Sequence, residues 1–583
     1  MSSDSSSPAS WRDGLLAGST IGLVVAVGFW LYTLSYNHLS PTVGDAFVVL
    51  IAYTCVFVIT STVAGLAISL AGRLLRLRAT TVTALIAGGW TGFFLIIHTL
   101  VKGVYYSDWG IDSKWAALAI RIGQVLFAVL VALLVVAVVR WLLQRRYGRV
   151  MLIVVLVSLL GGVLIVSLGA RQTPPAVDVP QVAQLPDTPP IAIIGLDGLT
   201  WNVIDPMVEE GKLPTFARLR ANGAWAHLET HPLGSSPLIW NAISTGRPPT
   251  EHGVLGHVWF QFPGMERRLF FPHRSGFNHV FAPPLRDLGL LAQAPVSSAD
   301  RLLPSFWNLA CDQGRDVILL NWYGTWPAEE PCGLVLAHRL FQRYKPNRRA
   351  FGERNFSPAY MRSVGDDGEL FARVIETQRA NDERIAFWAQ TAALVLDDYP
   401  MPDLFGIYLE RPDPAQHRVW HLHEPEKYFF VDPEQLARRG DPIAELYGWL
   451  DTFVADIIAL LPQDTIVILL SDHGAEAVFW EWGTRGGHNN GTPGVLMIHG
   501  PGVQPGQIDA TIYDILPTLF TLKGLPLADD WTGRPLTEAF TRDLPQIATL
   551  PSYGGKRIDA SAQAEEGDQK DTMEELKALG YIN

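Results

Sequence analysis

Five long apolar runs open the chain: roughly Leu15 to Tyr36, Ala46 to Ala71, Thr81 to Val101, Trp115 to Leu143 and Val150 to Ala170. Each reaches the ~20 residues with which a helix crosses ~30 Å of hydrocarbon, so the pattern predicts five membrane-spanning helices over residues 1–170. The pattern then changes. Residues 171–190 hold six prolines and no helical period, which reads as an extended linker. Beyond it the apolar residues come in short runs, Ile191 to Leu196, Val317 to Leu320, Leu404 to Leu409 and Thr465 to Leu470. Such runs, too short for helices and flanked by turn formers, read as buried strands. Between them lie stretches with helical spacing. Gly211 to Gly223 places Leu213, Phe216 and Leu219 on one face, Leu238 to Ser244 follows Pro237, and another begins at Phe306. Strands alternating with helices predict an α/β domain over residues 191–545, with cap elements expected in 258–402. A polar tail, 546–583, ends in a short amphipathic piece from Met573 to Leu579.

Charge separates the same two halves. Residues 1–170 carry eleven Lys plus Arg against five Asp and no Glu, a balance of +6; the remainder carries 34 basic and 52 acidic residues, a balance of −18. The first apolar run is too long and its flank too acidic for a cleaved signal peptide, so it stays as an anchor. Arg73, Arg76 and Arg78 follow the second run, and Arg145, Arg146 and Arg149 follow the fourth. The positive-inside rule puts both loops in the cytoplasm, with the amino terminus inside and everything after Ala170 outside. Arg121, two turns into the fourth run, is expected to reach the outer surface or a lipid headgroup. The acidic outer half argues against nucleic acid as a partner. Arg343, Lys345, Arg348 and Arg349 read as a solvated loop or as a contact for an anionic substrate. Cys311 and Cys332 lie in the outer half, where a disulfide is permitted; spacing alone does not decide their pairing.

The candidate chemistry stands at the ends of the strands. Asp197-Gly198 follows Ile191–Leu196, and Ser471-Asp472-His473-Gly474 follows Thr465–Leu470. The carboxyl edge of a parallel sheet is where open α/β folds place their ligands. His488 comes fifteen residues after His473, next to glycines, while Asp413 and His417, four residues apart, share one side of a helical turn after Leu404–Leu409. Ser235 and Ser236 precede Pro237 at a helix start, where a hydroxyl is either an N-cap or a nucleophile favoured by the helix dipole.

Six segments in order carry a resemblance: Asp197 at its strand end, SPLIWNAISTGRPPTEHGV, YLERPDPAQH, SDHG, the GGH at His488, and IYDILPTLFTLKGLPLADDWTGRPL. They resemble the alkaline phosphatase superfamily, and within it the type I phosphodiesterase and nucleotide pyrophosphatase branch. The resemblance implies an α/β fold, an alkaline-phosphatase-like three-layer αβα sandwich with a mostly parallel central sheet, here preceded by an all-α transmembrane bundle. It implies two divalent metal ions, Zn²⁺ or Mn²⁺. Asp197, Asp472, His473 and the nucleophilic serine would hold one, and Asp413, His417 and His488 the other. Counting from Thr245-Gly246 selects Ser236 as nucleophile, with Ser235 the alternative near the substrate. His257 stands where relatives carry a phosphate-binding asparagine and is a candidate substrate contact. His421 and His423 match no ligand position.

The implied activity is an extracytoplasmic, membrane-anchored phosphodiesterase working through a phosphoserine, on a phosphate ester that includes lipid headgroups among its possibilities. The architecture also resembles phosphoethanolamine and phosphoglycerol headgroup transferases, and a non-catalytic receptor or scaffold is the reading from another class. The residues after Pro237, Leu238 and Ile239, lack the Cys or Ser-x-Pro-x-Arg signature of sulfatases.

Overall fold

The computed structural model describes residues 10–37, 42–101, 104–105, 113–144, 177, 182, 185–232, 234–271, 280–329, 333–338, 369–380, 383–481, 484–488, 491–541, 544–545, 547–555 and 573. The fifth expected span, Cys332, the basic run from Arg343 to Arg349 and most of the tail lie outside them.

Among the described residues four helices are long and apolar enough to cross a membrane: α1 (Trp11–Tyr36), α2 (Val43–Leu74), α3 (Ala79–Val101) and α4 (Lys114–Gln144). Capping boxes start two of them, Ser10 with Asp13 and Thr42 with Asp45, satisfying backbone donors that the helix itself leaves unpaired. α1 and α2 pack through small residues. A Cβ on Gly14, Gly18 or Gly22 would come within 2.4 to 2.5 Å of the carbonyl oxygens of Gly65, Ser61 and Phe57, so only glycine permits this approach. Arg121 is buried within the protein, and its Nη1 donates to Gln124 Oε1 at 3.3 Å. Between α3 and α4 lies a short strand, β1 (Val104–Tyr105).

The domain after the linker is built on an eight-stranded sheet. Its members are β2 (Ile191–Leu196), β3 (Ala224–Leu228), β6 (Val317–Leu320), β7 (Leu334–Leu336), β8 (Leu404–Leu409), β9 (Ile466–Leu470), β12 (Gly494–His499) and β13 (Gly506–Gln507), in the spatial order β13-β3-β12-β9-β2-β8-β6-β7. The five from β9 to β7 are parallel, and β12 is antiparallel to both of its neighbours. Side-chain alternation sorts the strands onto two cores. Ala192, Ile194 and Leu196 face a layer with Phe216, Trp388 and Leu450, whereas Ile191 and Ile193 face one with Trp240, Phe306 and Leu516. The result is the three-layer α/β/α architecture.

A two-stranded unit, β4 (Val258–Gln261) with β5 (Ala292–Pro295), and a hairpin, β10 (Glu476–Glu481) with β11 (Thr484–Gly487), extend from the sheet domain to the helices. Val258, Phe260 and Phe262 share an apolar cluster with Trp30, Tyr53 and Phe57 of α1 and α2. β1 adds to β10 as an antiparallel strand, Val104 opposite Phe479 and Tyr105 opposite Val478. Cys311 is disulfide-bonded and Cys55 is free.

Candidate active site

Register places the candidate residues. Leu196 of β2 lies opposite Leu409 of β8, and Gly195 opposite Leu470 of β9, so the next residues of three adjacent strands emerge at one edge. Asp197 N donates to Leu409 O and Asp413 N to Asp197 O, each at 3.0 Å, tying the loops together. Gly198 must be glycine: its φ is +79°, and a Cβ there would lie 2.9 Å from Asp413 Cβ. Asp413 and His417 open helix α11 (Asp413–His423), and Ser236 opens helix α7 (Ser236–Thr245). Ser235 is the N-cap of α7 yet makes no side-chain capping bond, so neither serine is consumed by the capping role.

Two groups of side chains meet at that edge. In one, Ser236 Oγ is 3.3 Å from Asp197 Oδ1 and 3.3 Å from His473 Nε2. His473 Nε2 is also 3.5 Å from Asp197 Oδ1 and 3.3 Å from Asp472 Oδ2. In the other, His417 Nε2, His488 Nε2 and Asp413 Oδ1 form a triangle with sides of 3.1, 3.2 and 3.4 Å. The rings of His473 and His488 stack at 3.6 Å, which puts the groups side by side. Asp413 offers an oxygen to both: Asp413, His417 and His488, and likewise Asp197, Asp413 and His473, have ligand atoms within 4.8 Å of one another.

Tautomers follow from the outer contacts. His473 Nδ1 lies 3.0 Å from Gly474 O and His417 Nδ1 2.8 Å from Gly486 O. A carbonyl only accepts, so Nδ1 carries the hydrogen and the Nε2 lone pair points into the cluster. The cluster thus gathers lone pairs beside the Ser236 hydroxyl, which donates to Asp197 Oδ1, and its carboxylates are buried. Burial first, then the neighbouring Asp472 and Asp413, pushes Asp197 well above the usual carboxylate range; burial and Asp413 do the same to Asp472. Burial also opposes ionisation of Asp413, but the His417 and His488 imidazoles outweigh it and hold its carboxyl low.

This donor set fits divalent metal. A tetrahedral shell with bonds of ~2.0–2.1 Å has ligand–ligand edges of ~3.3 Å, close to the 3.1–3.5 Å separations of the Asp413–His417–His488 triangle and of the contacts made by His473 Nε2, and imidazole with carboxylate suits Zn²⁺.

Some contributors are invisible to strand-end reasoning. Tyr408 OH donates to Asp197 Oδ2 at 2.7 Å and Trp240 Nε1 to the same oxygen at 3.0 Å. Both sit in apolar stretches; the one available signal is that Trp240 is four residues beyond Ser236 on a helix. Of the remaining candidates, His257 lies just before β4, half-buried, its carbonyl accepting from Val296 N. His423 bonds Asp441, the N-cap of helix α12 (Pro442–Leu460), and His421 is buried near Tyr428.

Residues 191–485 match the family model described as type I phosphodiesterase / nucleotide pyrophosphatase. No curated protein matches the chain. Among solved structures, murine ectonucleotide pyrophosphatase / phosphodiesterase 5, an inactive variant in complex with AMP, matches at 13% identity over 58% of this chain and 96% of that one, with a TM-score of 0.34.

Proposed function

The chain belongs to the type I phosphodiesterase / nucleotide pyrophosphatase family, and from that membership we propose a membrane-anchored phosphodiesterase with two metal ions and Ser236 as nucleophile. The observation that carries the reading is the set of ~3.3 Å separations that His473 Nε2 makes with Asp197, Asp472 and Ser236, together with those that close the Asp413–His417–His488 triangle. When bound, the metals would lower the serine pKa and offset charge on the phosphoryl oxygens and the leaving oxygen.

The chain's own residues then divide the work. Tyr408 and Trp240 hold Asp197 Oδ2, leaving Oδ1 turned toward Ser236. Gly474 and Gly486 carbonyls fix His473 and His417 as Nε2 ligands. Ser236 Oγ, at the N-terminus of α7, attacks phosphorus and displaces one alcohol; water then cleaves the phosphoserine. The arginine-rich loops support a domain outside the cytoplasm with the amino terminus within it.

Ser236→Ala is the test. Turnover of bis(p-nitrophenyl) phosphate by the zinc-loaded protein is expected to fall by at least ~10³-fold with metal content unchanged. Activity near that of the parent would remove Ser236 from the mechanism.

A further inference from the structure

The edge of the sheet that carries the candidate site is also the edge docked on the membrane helices. Near Ser236, the His252 ring bonds the carbonyl of Leu238, and three residues on Leu255 O accepts from Tyr36 OH at the end of α1, at 3.2 Å. Asn37 clamps Phe270 from both sides, accepting from its N–H at 2.6 Å and donating to its carbonyl at 2.8 Å. Asp45 Oδ1, at the start of α2, accepts from Glu266 N at 2.7 Å. Near the histidines, β10 lies between His473 and His488 and takes β1 as its neighbour. Tyr428 accepts from Val478 N, donates to Arg485 O, and gives its own carbonyl to Lys114 Nζ at the start of α4.

The opposite edge holds the linker. Val182 N donates to Gln313, Arg315 to Pro186 O and Lys523 to Pro189 O, all beside the amino ends of β2, β6 and β8. At ~3.1 Å per residue the eleven residues 171–181, ahead of the first of these contacts, reach ~34 Å as a polyproline spacer.

The rim is dressed for a bilayer. Trp115, 68% exposed, packs edge-on against Phe429 at 4.7 Å, and Phe430 beside it is 83% exposed. Aromatic side chains at the end of a spanning helix mark the headgroup level. A lipid phosphate sits within ~5–8 Å of the hydrocarbon boundary, on the side of the helices that this edge contacts.

We infer that the diester cleaved here is that of a membrane phospholipid drawn from the leaflet on which the domain sits. This rests on the phosphodiesterase reading above. The Ser236 Oγ–P bond forms as the P–O bond to one esterified alcohol breaks; that alcohol takes up a proton, and water then hydrolyses the phosphoserine to a phosphomonoester. One water is consumed per diester.

The test uses full-length, zinc-loaded protein in nanodiscs of phosphatidylethanolamine and phosphatidylglycerol, with the Ser236→Ala protein as blank. Diacylglycerol, phosphatidate and headgroup phosphates are followed by mass spectrometry, with bis(p-nitrophenyl) phosphate assayed in parallel. Lipid-derived products above the blank are expected, and a headgroup phosphate arriving on a second lipid supports the inference equally, since the donor is still a phospholipid. Cleavage of the soluble diester with intact lipid overturns the inference and leaves the hydrolase reading standing; no cleavage of either overturns both. Asn37→Ala, outside the site, is expected to slow lipid turnover about tenfold while leaving the soluble diester within about twofold. An equal effect on both substrates counts against delivery from the membrane.

Discussion

Asp197 owes its orientation to a tyrosine and a tryptophan that hydropathy alone assigns to packing. Tyr408→Phe keeps the ring and removes one of the two donors on Asp197 Oδ2. The expected outcome is zinc affinity lowered by ~10-fold or more, read by competition with a chelating dye, with the melting temperature nearly unchanged. A purely structural tyrosine would give the reverse. His252 makes a different kind of prediction. Its ring donates Nε2–H to Leu238 O and accepts from Val254 N, and burial pushes its pKa from 6.5 down to about 3. The folded state therefore keeps it neutral while the unfolded chain protonates it near pH 6.5. Its contribution is fully present above that pH and lost as pH falls toward the folded value. Between pH 6.5 and about 5 the loss is ~2 kcal/mol. His252→Gln, which keeps an amide donor for Leu238 O, is expected to flatten the acid limb of stability, measured as melting temperature at about pH 7.5 and about pH 5.

At the scale of elements, the site depends on how closely β11 lies on α11. A Cβ on Gly486 would sit 2.6 Å from Gln416 O and 3.0 Å from Trp420 Cβ, so Gly486→Ala must push the hairpin away from the helix. That motion separates His488 from His417, now 3.1 Å apart, and shifts Gly486 O from His417 Nδ1. Zinc stoichiometry is expected to fall from about two to about one per chain, because only the Asp413–His417–His488 group is disturbed. Loss of both ions would show that the two groups are not separable. The strands themselves were legible: Ile191–Leu196, Val317–Leu320 and Leu404–Leu409 begin and end where their apolar runs do. They are central, buried on both faces, and so read as continuous apolar runs. The pairing of β1 with β10 was not legible, since a two-residue strand hydrogen-bonded across hundreds of residues leaves no local period.

For the whole molecule, the proposed ligands come from five separated stretches, around 197, 236, 413–417, 472–473 and 488. Bound metal cross-links them, so chelation is expected to lower the melting temperature. At ~100-fold excess over the dissociation constant the linkage is worth ~2.7 kcal/mol, or roughly 3–4 °C for a domain of about 350 residues. A chelated protein melting at the same temperature would argue that the cluster binds no metal in solution.

The sequence by itself determined the apolar helices, the parallel strands and the acidic and imidazole residues at their ends, because each is a local consequence of side-chain period and of where a buried strand must stop. It could not decide that Asp413 stands between both groups, that Tyr408 and Trp240 aim Asp197, or that the site edge is turned toward the membrane helices. Those depend on distances between segments far apart along the chain. Such distances are settled only when the sheet closes its register and its loops find the ends of α1, α2 and α4.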